Sequence, residues 1–272
     1  MELHKSQVLS QFNRSVQSYD DHAIIQRKMA ERLLRDLETD EPIRILEVGC
    51  GTGILTKILQ DRFPKAAITA IDIAEQMVEA SKARVNVSSQ VTFLVGDAER
   101  IEWSTHEPYD LIVSNAVFQW FKMPNHTIAN LKRALKPNGW IAASTFGPAT
   151  FQELHRIFEE VKQEMGLTDG RHTLPMQEEK AWQAVLIGVG LKEVSTEQTI
   201  ERLTYGNCQQ FLKSVKAVGA NYSENHYSLG TSRALLKEVM RRYDLAHRAG
   251  DGVYTTYEVI EIRGKGGRDD RG

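Results

Sequence analysis

Glu47, Asp72 and Asp97 are carboxylates that each stand at the end of a short apolar run, and the first is followed by glycines at alternate positions, Gly49-Cys50-Gly51-Thr52-Gly53. The run 43–48 has the composition of a buried strand, and it turns through the glycines into the helical spacing of Ile54, Leu55, Ile58 and Leu59. Backbone free of side chains lets a ligand lie against the mouth of a parallel sheet. Asp72 closes the next strand, about 20 residues beyond the glycines, where a carboxylate is suited to accept the two hydroxyls of a ribose. Ile73 and Met77 follow it; they could offer apolar surface to an adenine ring, or Met77 could instead be core. Asp97 follows the third strand, 91–95, where it can accept from an exocyclic adenine amine while the N–H of Ala98 reaches a ring nitrogen. These residues together call for a nucleoside. A dinucleotide fingerprint would need glycine where Ile54 stands, so no pyrophosphate cradle is expected.

The order acid-x-G-x-G-x-G is similar to the loop of class I S-adenosylmethionine-dependent methyltransferases. That resemblance implies that Glu47 and the backbone of Gly49, Gly51 and Gly53 hold a methionine moiety. The fourth strand, 109–113, runs into Ser114-Asn115-Ala116-Val117-Phe118-Gln119-Trp120. Ligands of open parallel sheets bind beyond the carboxyl ends of the strands, so Asn115 and Trp120 are expected near the reactive end of the cofactor. Phe118 and Trp120 could equally cover the core.

Strands alternating with helices of this length predict an α/β fold with a doubly wound, mostly parallel sheet, Rossmann-like. Residues 6–37 precede the first strand and read as two helices, broken at Tyr19-Asp20-Asp21-His22. Such a segment packs on the sheet's side or closes over the crevice, and two polar rings at the junction favour a lid that brings Tyr19 and His22 to the ligand. The alternative is a half-buried tyrosine and a capping or surface histidine. Lys136-Pro137-Asn138-Gly139 reads as a turn before the strand 140–146. Helical stripes in 148–176 and 206–250, the latter inserted before the last strand at 252–262, predict substrate-cap elements. The expected organisation is a lid over 1–40, a methyltransferase domain over 41–263 and a disordered tail over 264–272.

A length of 272 residues with 41% apolar composition suits one large domain with a cap. The formal charge of −2 provides no general field for nucleic acid. No apolar stretch is long enough for a membrane helix and the opening residues Glu2, His4 and Lys5 form no signal sequence, so a cytoplasmic protein is expected. Cys50 and Cys208 fit neither a disulfide framework nor a metal site, and no metal is expected.

Apart from its tail, the chain resembles the malonyl-[acyl-carrier protein] O-methyltransferase family of biotin synthesis. The resemblance is carried by Phe12-Asn13-Arg14-Ser15, Ser18-Tyr19-Asp20-x-His22-Ala23, Gln26 and the glycine loop. Ser114-Asn115-Ala116-x-x-Gln119-Trp120, Ser144-Thr145-Phe146-Gly147-Pro148, Glu153-Leu154, Leu212-Lys213-x-Val215-Lys216-Ala217-x-Gly219-Ala220 and Thr256-Tyr257-Glu258-Val259 also match. It implies methylation of the free carboxylate of a malonyl thioester, on acyl-carrier protein or coenzyme A, with S-adenosylmethionine as donor. A carboxylate is already ionised at neutral pH and needs alignment and exclusion of water rather than a base. Arg202 is the first candidate to bind it, with Tyr19 donating a second hydrogen bond, unless Arg202 is only a surface partner of Glu201. Trp120 is expected beside the reacting groups and His22 beside the cofactor. Docking of an acidic carrier protein would draw on Lys213, Lys216, Arg233, Lys237, Arg241 and Arg242. A monomer is expected. The competing readings are a small-molecule carboxylate methyltransferase of the trans-aconitate type, a quinone C-methyltransferase and a non-catalytic S-adenosylmethionine-binding module.

Overall fold

Short apolar runs alternating with amphipathic stripes build a sheet covered on both faces. The computed structural model describes residues 3–35, 37, 41–85, 90–167, 174–220 and 227–267. β1 (Arg44–Val48), β2 (Ala67–Asp72), β3 (Val91–Val95), β4 (Tyr109–Asn115) and β5 (Leu135–Phe146) run parallel. The eight-stranded sheet has the order β3-β2-β1-β4-β5-β8-β6, in which β6 (Lys192–Tyr205) and β8 (Gly252–Lys265) are antiparallel, and β7 (Arg248–Ala249) pairs with β8 off that path. Strand order reverses between β1 and β4, and the crevice opens there, beyond the strand ends.

One face of the sheet is covered by α2 (Ile24–Arg35), α3 (Ile54–Arg62) and α4 (Glu75–Arg84), through Leu33, Leu34, Leu55, Leu59 and Val78. The other is covered by α5 (Pro124–Arg133) and α7 (Glu179–Gly188), through Ile128, Leu131, Trp182 and Leu186. A further apolar cluster forms at the β6–β8 side of the sheet, where Val253 of β8 joins it. Leu154, Ile157 and Phe158 of α6 (Gln152–Glu164), Phe211 of α8 (Cys208–Ala217) and Leu235, Val239 and Tyr243 of α9 (Leu229–Ala246) pack together. The two segments expected as cap elements therefore share one core.

α1 (Leu3–His22) packs against both α4 and α8. Asn13 accepts the Gln76 N–H at 3.2 Å, and the Ser18 hydroxyl donates to Ala217 O at 3.0 Å. The break to α2 falls at Ala23, which is wholly buried. Both cysteines are buried and free. Among the described residues no helix is long and apolar enough to cross a membrane.

Two expectations need correction. Lys136-Pro137-Asn138-Gly139 does not separate α5 from a strand; it lies inside β5, where Asn138 takes φ +62° and the register with β4 shifts. Turn-forming residues here make an irregular strand start rather than a loop. The tail expected to be disordered from residue 264 begins instead as structure. β8 runs to Lys265, and Gly266 donates to Gly139 O at 2.8 Å. Glycine permits that approach, since a Cβ on Gly266 would stand 2.9 Å from Lys136 O. Residues 268–272 lie outside the described residues.

Candidate active site

The glycine loop is held from below. Gly49 and Cys50 donate to Ile71 O at 2.7 and 2.9 Å, which fastens the turn after β1 to the end of β2. Gly49 has φ +77°, and a Cβ there would lie 2.2 Å from Val117 Cγ2, so both conformation and crowding demand glycine. Gly51 has open space around it and lines the cavity beyond, whereas Gly53 caps α3.

Asp72 serves loop and cavity together. One oxygen accepts Gly51 N–H at 2.9 Å and the other Ala74 N–H at 2.8 Å, and the carboxylate borders the cavity. Burial raises its pKa, opposed by the backbone donors of Ala74, Gly51 and Ile73. Gly49, Ile73, Met77, Asp97, Ala98 and Asn115 line the same cavity.

Asp97 is already ion-paired, with Lys5 of α1 at 2.6 Å. Lys5 also pairs with Glu99. Burial works against the charge of Glu99, but Lys5, the Met123 N–H and the Thr127 hydroxyl outweigh it and lower its pKa. A carboxylate has room for about four donors, so Asp97 can serve an amine alongside Lys5.

Glu47 is wholly buried beneath the loop and is not among the cavity residues, in contrast to the expected direct contact. Neither oxygen meets a donor at hydrogen-bonding geometry. Burial pushes its pKa up to about 8, only partly offset by the neighbouring Thr56. The folded state therefore keeps a proton that the unfolded chain releases at ordinary carboxylate pH. Stability is fully present below that ordinary value and is lost as pH rises towards about 8. Glu47→Gln is expected to flatten this slope, measured as thermal unfolding of the apoprotein between about pH 6 and about pH 9.

A larger cavity of about 390 Å³ adjoins the first, and Phe12, Tyr19, Ala116 and Trp120 line both. Phe12 and Trp120 meet edge to face at 5.6 Å. Ala116 holds φ +57°, unusual for a residue with a Cβ, fixed by its N–H to Ser144 O at 2.8 Å and by the Gln119 amide on its carbonyl at 2.7 Å. Gln119 also accepts from Thr145 at 2.8 Å, which locks the side chain. Burial, with the charges of Asp72 and Asp20 adding to it, drives the Tyr19 phenol well above its ordinary pKa, so it remains an O–H donor. Asn115 is bound at both ends, donating to Gln26 O at 2.9 Å and accepting from Ser144 at 2.6 Å.

Beyond that shared wall the cavity is mainly apolar, bordered by Phe146, Phe151, Leu154, Phe158, Leu235 and Tyr257 among others. Lys216 is the one lysine or arginine among the described residues lining it. Gly147 donates to Glu258 O at 2.9 Å, and Glu258 accepts Ala149 N–H at 2.5 Å. The Phe146-Gly147-Pro148 and Tyr257-Glu258 motifs thus recognise each other and place α6 over the cavity.

Two expected residues stand elsewhere. His22 is exposed and lines the larger cavity, not the one beside the glycine loop. Arg202 reaches neither cavity. On β6 it pairs with Thr256, whereas cavity-lining Tyr257 pairs with Glu201, and the two-residue period of a strand sends Arg202 to the opposite face. There its guanidinium lies 4.9 Å from the centre of the Tyr254 ring. Among the described residues no group of three or more His, Cys, Asp or Glu side chains could hold a metal ion.

The family profile described as a methyltransferase domain matches residues 46–143. A Bacillus halodurans protein described as a putative methyltransferase superposes with a TM-score of 0.61 at 15% identity, covering 88% of this chain and 99% of its own. Haemonchus contortus phosphoethanolamine N-methyltransferase 2, solved with S-adenosyl-L-methionine, gives 0.58 at 16% identity, covering 94% of this chain and 57% of its own. Those likenesses show the fold. In sequence, the malonyl-[acyl-carrier protein] O-methyltransferase of Paenibacillus sp. is 38% identical over 95% of this chain and 98% of its own length. That of Halalkalibacterium halodurans is 38% identical over 96% and 98%. Likeness of this extent covers nearly the whole length of both chains, and the chain belongs to the malonyl-[acyl-carrier protein] O-methyltransferase family, within the S-adenosylmethionine-dependent methyltransferases.

Proposed function

We propose that the protein transfers a methyl group from S-adenosylmethionine to the free carboxylate of a malonyl thioester borne on an acyl-carrier protein, giving the methyl ester that opens pimeloyl and biotin synthesis. The observation that carries this reading is the pair of adjoining cavities, one bordered by acids and bare glycine backbone, the other apolar, sharing Phe12, Tyr19, Ala116 and Trp120.

The first cavity fits the donor, because Asp72 borders it beside the open Gly51 and Asp97 lines it as well. Asp72 would hold the ribose, Asp97 and Ala98 the adenine, Ile73 and Met77 its face, and the Gly49 to Gly51 backbone the methionine part. Bound there, S-adenosylmethionine supplies an electrophilic methyl group on a sulfonium. The chain's part is to position the acceptor. Tyr19, held protonated, would donate to one carboxylate oxygen and leave the other to attack, while Trp120, Phe12 and α1 keep water out. No general base is required, because the acceptor is already an anion. His22, at the larger cavity, would contact the thioester arm.

In this reading α1 and α2 are the lid and α6, α8 and α9 the cap, and the enzyme works as a cytoplasmic monomer without a metal. An apolar cavity with Lys216 as its one lysine or arginine among the described residues suits an acyl arm better than a small tricarboxylate, which would need several cations. The test is incubation with S-adenosylmethionine and malonyl, succinyl and acetyl thioesters, followed by mass analysis and esterase treatment. The expected result is a single esterase-sensitive methyl on malonyl thioester and none on acetyl. Inert malonyl thioester alongside reactive trans-aconitate would replace this reading by the small-molecule one.

A further inference from the structure

The rim of the larger cavity carries charge that the chemistry inside does not use. α8 borders the cavity through Leu212, Val215 and Lys216, and α9 through Ser232, Leu235 and Leu236. Lys213 and Lys216 stand one turn apart on α8, and Arg233 and Lys237 one turn apart on α9; all four are exposed. Several surface cations on other helices are held against an acid one turn away, as in Lys57 with Asp61, Lys82 with Glu79 and Arg156 with Glu160. α8 contains no acid at all. On α9, Glu238 pairs with Arg241 and Arg242, and Glu164 takes Arg242 as well, which removes those two arginines from the docking candidates.

No hydrogen bond or ion pair engages Lys213, Lys216, Arg233 or Lys237 among the described residues. Like charges one helical turn apart repel, so folding gains nothing from either pair. Apolar surface is interleaved with the charge. Leu229 is 78% exposed and Leu236 39%, and positions 229, 233, 236 and 237 fall on one face of α9. A phosphate-bearing coenzyme would use the cations and leave the leucines in water. An acidic protein surface with an apolar centre would use both.

We infer that this face of α8 and α9 docks the acidic carrier protein that presents the thioester, its acids against Lys213, Lys216, Arg233 and Lys237, its apolar centre on Leu229 and Leu236, and its acyl arm entering between the two helices. The inference rests on the proposed function, since a carrier is needed only if the acceptor is carrier-bound. The test compares the wild type with the triple variant Lys213→Glu, Arg233→Glu, Lys237→Glu on malonyl-acyl-carrier protein and on malonyl-pantetheine, which has no protein to dock.

The expected result is a loss of about 10-fold or more in kcat/KM on the carrier-linked substrate, with malonyl-pantetheine turnover within about twofold of wild type. The corresponding triple glutamine variant should lose less, and the wild-type rate on the carrier should fall with added salt. Equal loss on both substrates, or no loss on the carrier, would overturn the docking surface. A wild type inert towards both malonyl thioesters would instead overturn the functional reading on which it rests.

Discussion

Asp72→Asn should weaken S-adenosylmethionine binding by about 100-fold, a change of about 2.7 kcal/mol, titrated calorimetrically with S-adenosylhomocysteine as the stable ligand. The size follows from replacing an anion by an amide beneath two vicinal hydroxyls, since hydrogen bonds to charged groups contribute about 1.5–3 kcal/mol each. The same carboxylate accepts the N–H groups of Gly51 and Ala74, and an asparagine can serve only one of them through its single oxygen. A smaller loss of thermal stability is therefore expected as well, of about 1 kcal/mol. An affinity unchanged from wild type would put the nucleoside somewhere other than beside the glycine loop.

Tyr19→Phe should lower kcat/KM for malonyl thioester by about 10- to 100-fold, equivalent to about 1.4–2.7 kcal/mol, with the dissociation constant of S-adenosylhomocysteine within about twofold of wild type. Tyr19 lines both cavities and burial keeps its hydroxyl protonated, so the proposed role is that of a donor facing a carboxylate acceptor. Phenylalanine keeps the packing of the ring and removes only the hydroxyl. If kcat/KM were unchanged, the acceptor carboxylate would have to be oriented by another group. If cofactor affinity fell by the same factor, Tyr19 would belong to the donor side.

The cavity beside the glycine loop was legible because the residues that build it follow local rules. A strand, three glycines and an acid closing the next strand are fixed by short-range rules, and the structure puts Gly49, Gly51, Asp72, Asp97 and Ala98 around one cavity. The larger cavity was legible only as a location. Arg202 follows from residue chemistry, yet which face it occupies is set by pairing with β8 some fifty positions later, and that register put Tyr257 inside and Arg202 outside. Lys5 carries no motif, and its ion pair with Asp97 exists only because α1 lies across the end of β3. Ala116 reads as an ordinary small residue until its φ of +57° shows a backbone held at the meeting of the cavities. Glu47 was recognisable as part of the loop, but its burial beneath that loop, with no donor, is a property of packing.

The most direct measurement is a crystal structure of the protein with S-adenosylhomocysteine and a malonyl thioester bound together. The adenosine is expected between Asp72 and Asp97, the acyl arm in the cavity under α6, α8 and α9, and the free carboxylate beside Tyr19, facing the sulfur. A thioester bound outside that cavity, or a carboxylate turned away from the wall formed by Phe12, Tyr19, Ala116 and Trp120, would contradict the proposed reaction.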